Sequence, residues 1–332
     1  MFFKYFIGGV MAGTKSFEAI FNAYFHQKIK FDEFLNLNIF DEVNKIKIGD
    51  KEAYSCSKKL KKIHQFLIVF VLNKVEIKND VVFSYRKRMN VVNAIYPHAK
   101  KRAIYKTDIR SFFPSIKMSE VRNMLKQHAN SSMFSDLSDY LDNIINAISI
   151  NDNLPIGFPT SPVVSNFSFY KYDLLIKSYS DKNGYVYTRY ADDILISSDD
   201  YLDKEIITKE ITNIFERNGA NYKLNKDKTK ILPRGSKRII FGVSILPDGK
   251  LTISKKLRND IETKIYLYLT DKKKFLEYSK FTSMEDAVVN ISGVLNHVNT
   301  IDKYYLDKLK IKYGTSIIGL FFRKTIENEY RS

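Results

Sequence analysis

The sequence lacks the features of a disulfide-stabilised, exported or membrane-spanning protein. Its single cysteine, Cys56, permits neither a disulfide framework nor a cysteine zinc site, which suits a reducing cytoplasm. The five histidines form no credible metal or nucleophile cluster. No apolar run reaches the length of a membrane span, and we expect the apolar start, residues 1–13, to be part of the fold and not a signal peptide. Internal repeats, low-complexity segments and flexible linkers are also absent.

Apolar residues and positive charge are both abundant. Hydrophobic residues make up 44% of the 332 positions, which supplies a core and argues against disorder. Lys and Arg number 54 against 37 Asp and Glu, which gives a net charge of +17. An excess this large indicates a polyanionic partner, with nucleic acid as the default interpretation. A generally basic cytosolic protein is the alternative that charge alone leaves open.

The order of predicted elements is that of a mixed α+β protein. Helices are expected over most of residues 15–80, including one at 57–74, and again over 255–326. Between them the pattern predicts a strand at 101–109 that ends at Asp108, a helix capped by Ser119, a shaped loop at 154–162 followed by a helix to about Ser180, a hairpin at 184–198, a helix at 202–218 and a second hairpin at 238–254. This is not the strand–helix alternation of a doubly wound sheet.

Three aspartates stand where strands are predicted to end. Asp108 closes a strand, and Asp192 and Asp193 occupy the first hairpin turn. If those strands pair in one sheet, the turn carries Asp192 to the end of the strand that holds Asp108. Carboxylates placed together repel one another unless a divalent cation neutralises them, and hard oxygen ligands suit Mg²⁺. Two such ions would form the clamp for in-line displacement at a phosphate. A solvated acidic turn, as expected for Asp199-Asp200, is the alternative.

Four motifs around these aspartates resemble the reverse transcriptase family. Tyr190-Ala191-Asp192-Asp193 is similar to the YxDD box, and the other three are IYKTDIRSFFPSI (104–116), LPIGFPTSPVVSN (154–166) and YKLNKDKTKIL (222–232), in the family's order. The resemblance implies an RNA-directed DNA polymerase with a right-hand fold. Its fingers would cover about residues 1–100, its palm, with an antiparallel sheet, 101–254, and its helical thumb 255–332.

Further segments resemble the retron-type bacterial enzymes. Asn93-Ala94-Ile95-Tyr96-Pro97-His98 is similar to their NAxxH element, and residues 289–314 resemble their thumb. Residues 241–254 resemble their Val-Thr-Gly hairpin, although Ile240-Phe241-Gly242 stands in place of that triplet. The subtype implies one structured non-coding RNA as template, a 2′-OH of that RNA as primer, and a short DNA product joined to it. It also implies an accessory effector protein and a role in phage defence. Stand-alone bacterial defence reverse transcriptases share the same palm and fit equally well.

The resemblance also assigns metal and nucleotide contacts. The implied ligands of two Mg²⁺ ions, for which Mn²⁺ can substitute, are Asp108, Ile109, Asp192 and Asp193. Implied nucleotide contacts are the steric gate Phe113, then Gly157, Phe158, Lys228 and Lys51. Phe112 fits a core position better than Phe113 does. Ile156 replaces a glutamine that contacts the incoming nucleotide in many relatives, so nucleotide handling is expected to rely more on the Gly157 backbone and on Phe158. Fidelity or substrate preference is the property that this replacement affects.

Nucleic-acid contacts are expected along the basic segments. The predicted residues are Arg86, Lys87, His98, Tyr190, Lys308, Lys310 and Lys312. Lys61, Arg86 and Lys87 compete with Lys51 for the triphosphate, and His98 could instead pack beneath the palm. Two rival functions remain. A viral-type RNA polymerase usually has Gly-Asp-Asp and polar ribose-binding residues, and an inactive RNA-binding relative would have lost a metal aspartate, whereas Asp108, Asp192 and Asp193 are all present.

Overall fold

Fifteen α-helices and nine strands form the part of the chain that the structure describes. The computed structural model describes residues 14–49 and 51–329, without the side chains of Ile48, Lys51 and 323–329. The helices are α1 Phe17–Phe25, α2 Phe31–Leu35, α3 Lys58–Phe70, α4 Val91–Ile95, α5 Phe112–Ser115, α6 Met118–Ala129, α7 Leu141–Ile148, α8 Ser161–Ser168, α9 Tyr170–Lys182, α10 Lys204–Arg217, α11 Lys255–Thr270, α12 Lys272–Ser279, α13 Met284–Ile301, α14 Lys303–Tyr313 and α15 Thr315–Glu329. The strands are β1 Val43–Ile48, β2 Lys51–Cys56, β3 Ala103–Asp108, β4 Val186–Tyr190, β5 Asp193–Ser198, β6 Lys230–Pro233, β7 Arg238–Ile240, β8 Val243–Ile245 and β9 Leu251–Ile253.

The strands form three sheets. The largest has the order β4-β5-β3-β6, so the strand that ends at Asp108 lies beside the strand that begins at Asp193. β3 is almost entirely buried, which explains its run of Ala103, Ile104 and Tyr105. The predicted pairing of the strand at 101–109 with the first hairpin is therefore present.

A second sheet corrects the expectation that residues 15–80 are mostly helical. β1 and β2 pair antiparallel, from Val43 opposite Cys56 to Ile48 opposite Lys51. The alternation Lys45-Ile46-Lys47-Ile48 followed by Gly49, which has φ +60°, is the pattern of a hairpin. The basic composition of the region favours helices only on average, and the local period of two decides the structure here.

Three other local predictions need correction. The helix after Asp108 begins at buried Met118 behind Lys117, so Ser119 lies inside it and does not cap it. The helix expected to reach Ser180 is broken at Phe169, whose buried ring packs between several aromatic rings. The second hairpin is a three-stranded meander, β7-β8-β9, because Phe241 and Gly242 both adopt positive φ and make an extra turn.

The described chain divides into two compact units. The first holds the described residues up to Met89 together with Lys106–Leu195 and Asp203–Lys230. One of its cores is an aromatic cluster around Phe17, in which the rings of Phe21, Phe34, Phe66 and Phe134 lie within about 6 Å of a neighbour. The predicted helix through Phe17 and Phe25 is confirmed as α1, whereas residues 1–13 lie outside the described chain.

The second unit contains Asn90–Tyr105, Ile196–Leu202 and the described residues from Ile231 onward. Its helices α11 to α15 bury an apolar core that includes Ile265, Phe275, Leu295 and Leu309, so the predicted helical region from 255 is confirmed. None of the helices within residues 14–49 and 51–329 is long and apolar enough to cross a membrane.

Candidate active site

The three aspartates are gathered at one end of the central sheet. Asp108 is the last residue of β3 and is only 5% exposed. Asp192 and Asp193 stand at the turn between β4 and β5. The backbone N–H of Ile109 donates to the carbonyl oxygen of Asp192 at 3.0 Å, which ties the turn to the end of β3. Ala191, just before the pair, has φ +56°, so the turn is tight and left-handed at that residue.

Two lysines hold the outer oxygens of these carboxylates. Lys228 Nζ lies 2.9 Å from Oδ2 of Asp108, and Lys106 Nζ lies 3.0 Å from Oδ1 of Asp193. The hydrogen bond to Asp108 raises the pKa of the Lys228 ammonium, which therefore stays charged at neutral pH. Burial raises the pKa of Asp193, Lys106 lowers it, and the charges of Asp192 and Asp108 add to the rise. The negative charges of Asp192 and Asp108 thus work against ionisation of Asp193.

The donor set suits a hard divalent cation. Oδ1 of Asp108 is buried without a hydrogen-bond partner, so one oxygen lacks the neutralising contact that a buried carboxylate needs. Among the side chains that the structure describes, no group of three or more His, Cys, Asp or Glu residues lies close enough to hold a metal ion. Ile109, the fourth predicted metal ligand, is buried.

The two phenylalanines after Asp108 have different environments. Phe112 is 5% exposed and packs against Phe169 and Tyr222, with ring centroids 5.7 and 5.8 Å away. Phe113 is half-buried in the short helix α5, which follows Ser111 at φ +50°. The core position predicted for Phe112 is present, and the side chain of Phe113 stays partly exposed.

The loop at 154–162 docks on the β1–β2 hairpin. The N–H of Tyr54 donates to the carbonyl oxygen of Ile156 at 2.8 Å. Gly157 has φ +101°, and a Cβ there would lie 2.2 Å from the carbonyl oxygen of Tyr54. The close neighbour of Gly157 is therefore the chain's own backbone. The ring of Phe158 is 2% exposed and packs 4.9 Å from the ring of His64, so a nucleotide contact by that ring is not supported.

Three predicted nucleic-acid residues, His98, Arg86 and Lys87, have different surroundings, and only Lys87 is exposed. His98 is fully buried, its Nδ1 is 2.6 Å from the hydroxyl of Ser197, and burial lowers its pKa to about 3. It therefore packs in the core and does not face RNA. Arg86 donates to the carbonyl oxygens of Asn79 and Val82, so it braces its own loop. Lys87 is exposed at the edge of a cleft of about 520 Å³.

Other predicted contacts are Lys61, Lys51 and Tyr190. Lys61 is exposed on α3, and the side chain of Lys51 lies outside the described residues. Tyr190 is half-buried at the end of β4, directly before the turn.

The three lysines of α14 are not equivalent. Lys308 Nζ lies 4.6 Å from the ring centroid of Tyr304, Lys310 Nζ is 2.8 Å from Oδ1 of Asp307, and Lys312 pairs with Glu262. Lys308 also lines a cleft of about 770 Å³ in the second unit, together with four other basic residues, Lys237, Arg238, Lys255 and Arg258. Glu262 also lines this cleft and Arg258 pairs with Asp302, but the excess of positive charge still suits phosphate groups.

Sequence reasoning missed four residues that shape the site: Lys106, Asn166, Asp173 and Arg189. Arg189 and Asp173 are both fully buried. One signal was available, because an arginine in the apolar strand Val186-Tyr187-Thr188-Arg189 requires a buried partner. The partner itself lies on a helix 16 positions earlier and could not be read from the strand.

The mixed helix and sheet architecture and the turn at Asp192 and Asp193 define the palm of a right-hand polymerase. Residues 47–268 match the family model described as reverse transcriptase (RNA-dependent DNA polymerase). The chain belongs to the reverse transcriptase family and is an RNA-directed DNA polymerase. Members of this family generally use divalent metal ions.

The curated relatives confirm the retron-type resemblance. Retron Ec73 reverse transcriptase from Escherichia coli is 27% identical over 83% of this chain and 87% of its own length. Retron Ec86 reverse transcriptase, also from Escherichia coli, is 24% identical over 80% and 78%, and retron Mx65 reverse transcriptase from Myxococcus xanthus is 23% identical over 79% and 60%.

Two solved structures are also similar. One is a telomerase from Candida albicans in complex with a fragment of telomeric RNA, at 12% identity and a TM-score of 0.40, over 79% of this chain and 47% of that chain. The other is a foamy viral protease–reverse transcriptase with double-stranded DNA, at 13% identity and a TM-score of 0.41, over 77% and 35%.

Proposed function

We propose that this reverse transcriptase copies a structured non-coding RNA into short DNA, with Asp108, Asp192 and Asp193 as the catalytic carboxylates. The observation that carries the site assignment is the hydrogen bond from the N–H of Ile109 to the carbonyl oxygen of Asp192. It brings the hairpin turn against the strand end where Asp108 stands. Two carboxylate positions far apart in sequence thus share one edge of the sheet.

The chemistry of the donor set, with the unpartnered Oδ1 of Asp108, supports a site for divalent ions. Asp108, Ile109, Asp192 and Asp193 would hold two Mg²⁺ ions, or Mn²⁺ in their place, which would supply activation of the primer 3′-OH and stabilisation of the leaving pyrophosphate. Lys106 and Lys228 offset the repulsion among the carboxylates, since each places an ammonium within 3.0 Å of one oxygen.

Nucleotide selection falls to residues near the end of β3. Phe113 would close on the 2′ position of the sugar and exclude ribonucleotides. Lys228 is 66% exposed beyond its contact with Asp108, so its ammonium can also face the triphosphate. Because its pKa is raised, we favour charge neutralisation over proton donation as its role. Gly157 and Lys51 remain proposed nucleotide contacts through the loop and hairpin that carry them.

The template proposal rests on the identity of the relatives and on charge. The curated relatives are retron reverse transcriptases, and the net charge is +17. We infer that the basic cleft lined by Lys255, Arg258 and Lys308 holds part of a structured RNA. The fingers, palm and thumb would cover about residues 1–100, 101–254 and 255–332. The same subtype supports our proposal of a cytoplasmic defence role with an accessory effector protein.

Replacing one carboxylate tests the function. Asp192→Asn removes charge at the turn without changing size, so primer extension should be abolished while RNA binding is retained. The matched control is Asp200→Asn, which changes an exposed aspartate on the same chain segment. Extension is measured on a primed RNA template with each deoxynucleotide, and binding is measured with the RNA encoded beside the gene.

The nucleic acid that co-purifies with the protein tests the template. Cells with the unmodified chain should yield DNA covalently joined to one RNA, and cells with Asp192→Asn should yield the RNA alone. Substantial extension by Asp192→Asn would overturn the site assignment. DNA that is not joined to RNA, with extension still dependent on Asp192, would favour the stand-alone defence enzyme.

A further inference from the structure

The strand that leads into the hairpin turn carries a buried ion pair. Arg189 on β4 and Asp173 on α9 both have no exposed surface. Arg189 Nε donates to Oδ1 of Asp173 at 2.8 Å and Nη2 donates to Oδ2 at 2.7 Å, while the hydroxyl of Tyr187 donates to Oδ1 at 2.7 Å. Removing two charges from water has a large desolvation cost, which an apolar pair of similar volume avoids. Stability alone therefore does not explain this pair.

The remaining nitrogen of the guanidinium is directed at the turn. Arg189 Nη1 donates to the carbonyl oxygen of Ala191 at 3.0 Å. Ala191 has φ +56°, a conformation that is unfavourable for a residue with a Cβ and that needs support from its surroundings. The arginine supplies that support from two residues away.

Both peptide groups that flank Asp192 are thereby held. The carbonyl of Ala191, before Asp192, accepts from Arg189, and the carbonyl of Asp192, after it, accepts from the N–H of Ile109 at 3.0 Å. The direction of the Asp192 side chain depends on the orientation of these two peptides. One of the two anchors is the strand end beside Asp108, and the other is the buried guanidinium.

A third element fixes the guanidinium itself. Arg189 Nη2 donates to the backbone carbonyl of Asn166 on α8 at 3.3 Å. The side-chain amide of Asn166 in turn donates to the carbonyl oxygen of Ser84 at 2.8 Å. With Asp173 and Asn166 on separate helices, the arginine cannot shift without breaking hydrogen bonds to both.

We propose that Arg189 is a positioning residue for nucleotidyl transfer, held by Asp173 and acting on the peptide group before Asp192. The inference rests on the proposed function, in which Asp192 is a catalytic carboxylate. A displacement of about 1 Å at a catalytic group can lower the rate about 100-fold. Removal of the hydrogen bond to Ala191 should therefore appear in kcat and leave nucleic-acid affinity unchanged.

A triple variant separates positioning from stability. Tyr187→Phe with Asp173→Leu and Arg189→Met replaces the polar cluster by apolar groups, so no unpaired charge is left in the core. If the cluster only stabilises the fold, apolar groups that preserve the melting temperature should also preserve the activity. We expect a melting temperature close to that of the unmodified chain, unchanged RNA affinity and unchanged KM for deoxynucleotides, with kcat lower by about 100-fold. The control is Ile291→Ala, a buried change in α13, which should lower the melting temperature but not kcat.

Hydrogen exchange provides a readout that does not depend on activity. The amide of Ile109 donates to the turn, so in the triple variant it should exchange faster than in the unmodified chain. The proposal would be overturned if kcat of the triple variant stayed within about 3-fold of the unmodified chain. That ratio corresponds to a change in activation free energy below 1 kcal/mol, at about 1.4 kcal/mol per tenfold.

Arg189→Lys covers the case in which the triple variant fails to fold. Lysine keeps the charge opposite Asp173 but lacks the fork that also reaches Ala191, so the same decrease in kcat is expected. If neither variant folds, rapid exchange of the Ile109 amide in the unmodified chain would refute a pinned turn. Asp192→Asn distinguishes the two levels: an inactive Asp192→Asn with an active triple variant sinks only the positioning role, whereas an active Asp192→Asn sinks the proposed function.

Discussion

The two phenylalanines after β3 have different environments, and we propose a core role for Phe112 and a nucleotide contact for Phe113. Phe113 is half-buried, whereas Phe112 is enclosed by Phe169 and Tyr222. We predict that Phe113→Val raises the ratio of ribonucleotide to deoxynucleotide incorporation, because the ring that would clash with a 2′-OH is removed. The ratio is measured by single-nucleotide extension on one primed template.

Phe112→Ala is the matched comparison. Truncating a buried phenylalanine costs about 3–5 kcal/mol, so this variant should lower the melting temperature sharply and leave sugar selection unchanged in the protein that remains folded. A changed selection ratio in Phe112→Ala, with none in Phe113→Val, would move the gate to Phe112.

Two buried histidines make stability depend on pH. Burial lowers the pKa of His98 to about 3 and that of His64 to about 4. In the unfolded chain a histidine has a pKa of about 6.5, so below that pH the unfolded state binds more protons than the folded state. Stability is therefore fully present above about pH 6.5 and falls as the pH drops toward the folded values, by up to about 1.4 kcal/mol per pH unit for each histidine.

The measurement is the melting temperature at pH 7, 6 and 5. His98→Gln or His64→Gln should be less stable at pH 7, but its melting temperature should fall less between pH 7 and pH 5. His26→Asn is the control, since His26 is exposed and asparagine tolerates its left-handed backbone. An unchanged acid dependence in both buried variants would contradict the assignment of neutral, buried imidazoles.

At the level of elements, the docking of the 154–162 loop on β2 depends on a glycine. Gly157→Ala combines positive φ with a Cβ only 2.2 Å from the carbonyl oxygen of Tyr54, so the loop must move. We predict a marked decrease in melting temperature and a higher KM for deoxynucleotides. Gly184→Ala isolates the backbone effect, because Gly184 also has positive φ, +68°, but nothing within 4 Å of the added Cβ; it should cost only about 1–2 kcal/mol. Equal decreases in the two variants would show that the close approach to Tyr54 is unimportant.

The elements that sequence patterns predicted well are those whose signals are local. A strand-end aspartate, a hairpin turn and amphipathic helices each depend on neighbours within a few positions, and β3, the turn at Asp192 and α1 are found as expected. The short hairpin β1–β2 was missed although its alternation is visible. Local patterns also misplaced the start of α6 and gave no sign of the break at Phe169. Burial of Met118 and Phe169 decides both boundaries.

Environments of single residues were predicted less well, because they depend on neighbours distant in sequence. Gly157 is required because the backbone of Tyr54 approaches it closely. The ring of Phe158 packs beside that of His64, and the imidazole of His98 is buried beside the hydroxyl of Ser197. The partnership of Arg189 with Asp173 likewise joins a strand to a helix. A family motif locates such residues correctly but does not state which of them face a ligand.

For the whole molecule, we expect the net charge of +17 to supply much of the affinity for nucleic acid. Not every lysine contributes equally to it. Lys310 and Lys312 already pair with Asp307 and Glu262, whereas Lys308 lies over the uncharged ring of Tyr304. A phosphate bound at the first two positions must compete with a carboxylate, so Lys308 should release the most counterion per lysine.

We therefore predict unequal effects of neutralising these lysines on the salt dependence of RNA binding. Each phosphate that the protein no longer neutralises should reduce the slope of log affinity against log salt by about 0.7 to 0.9. Lys308→Gln alone should give most of that change, and adding Lys310→Gln and Lys312→Gln should give less than three times as much.

The control changes three exposed lysines elsewhere, Lys28, Lys30 and Lys209, to Gln. Affinity is measured across a salt series for the RNA encoded beside the gene and for a scrambled RNA of equal length. The preference for the first RNA should survive in all variants, because it depends on RNA shape and not on charge number. An equal flattening in the control would mean that the charge acts diffusely, without a dedicated surface on α14.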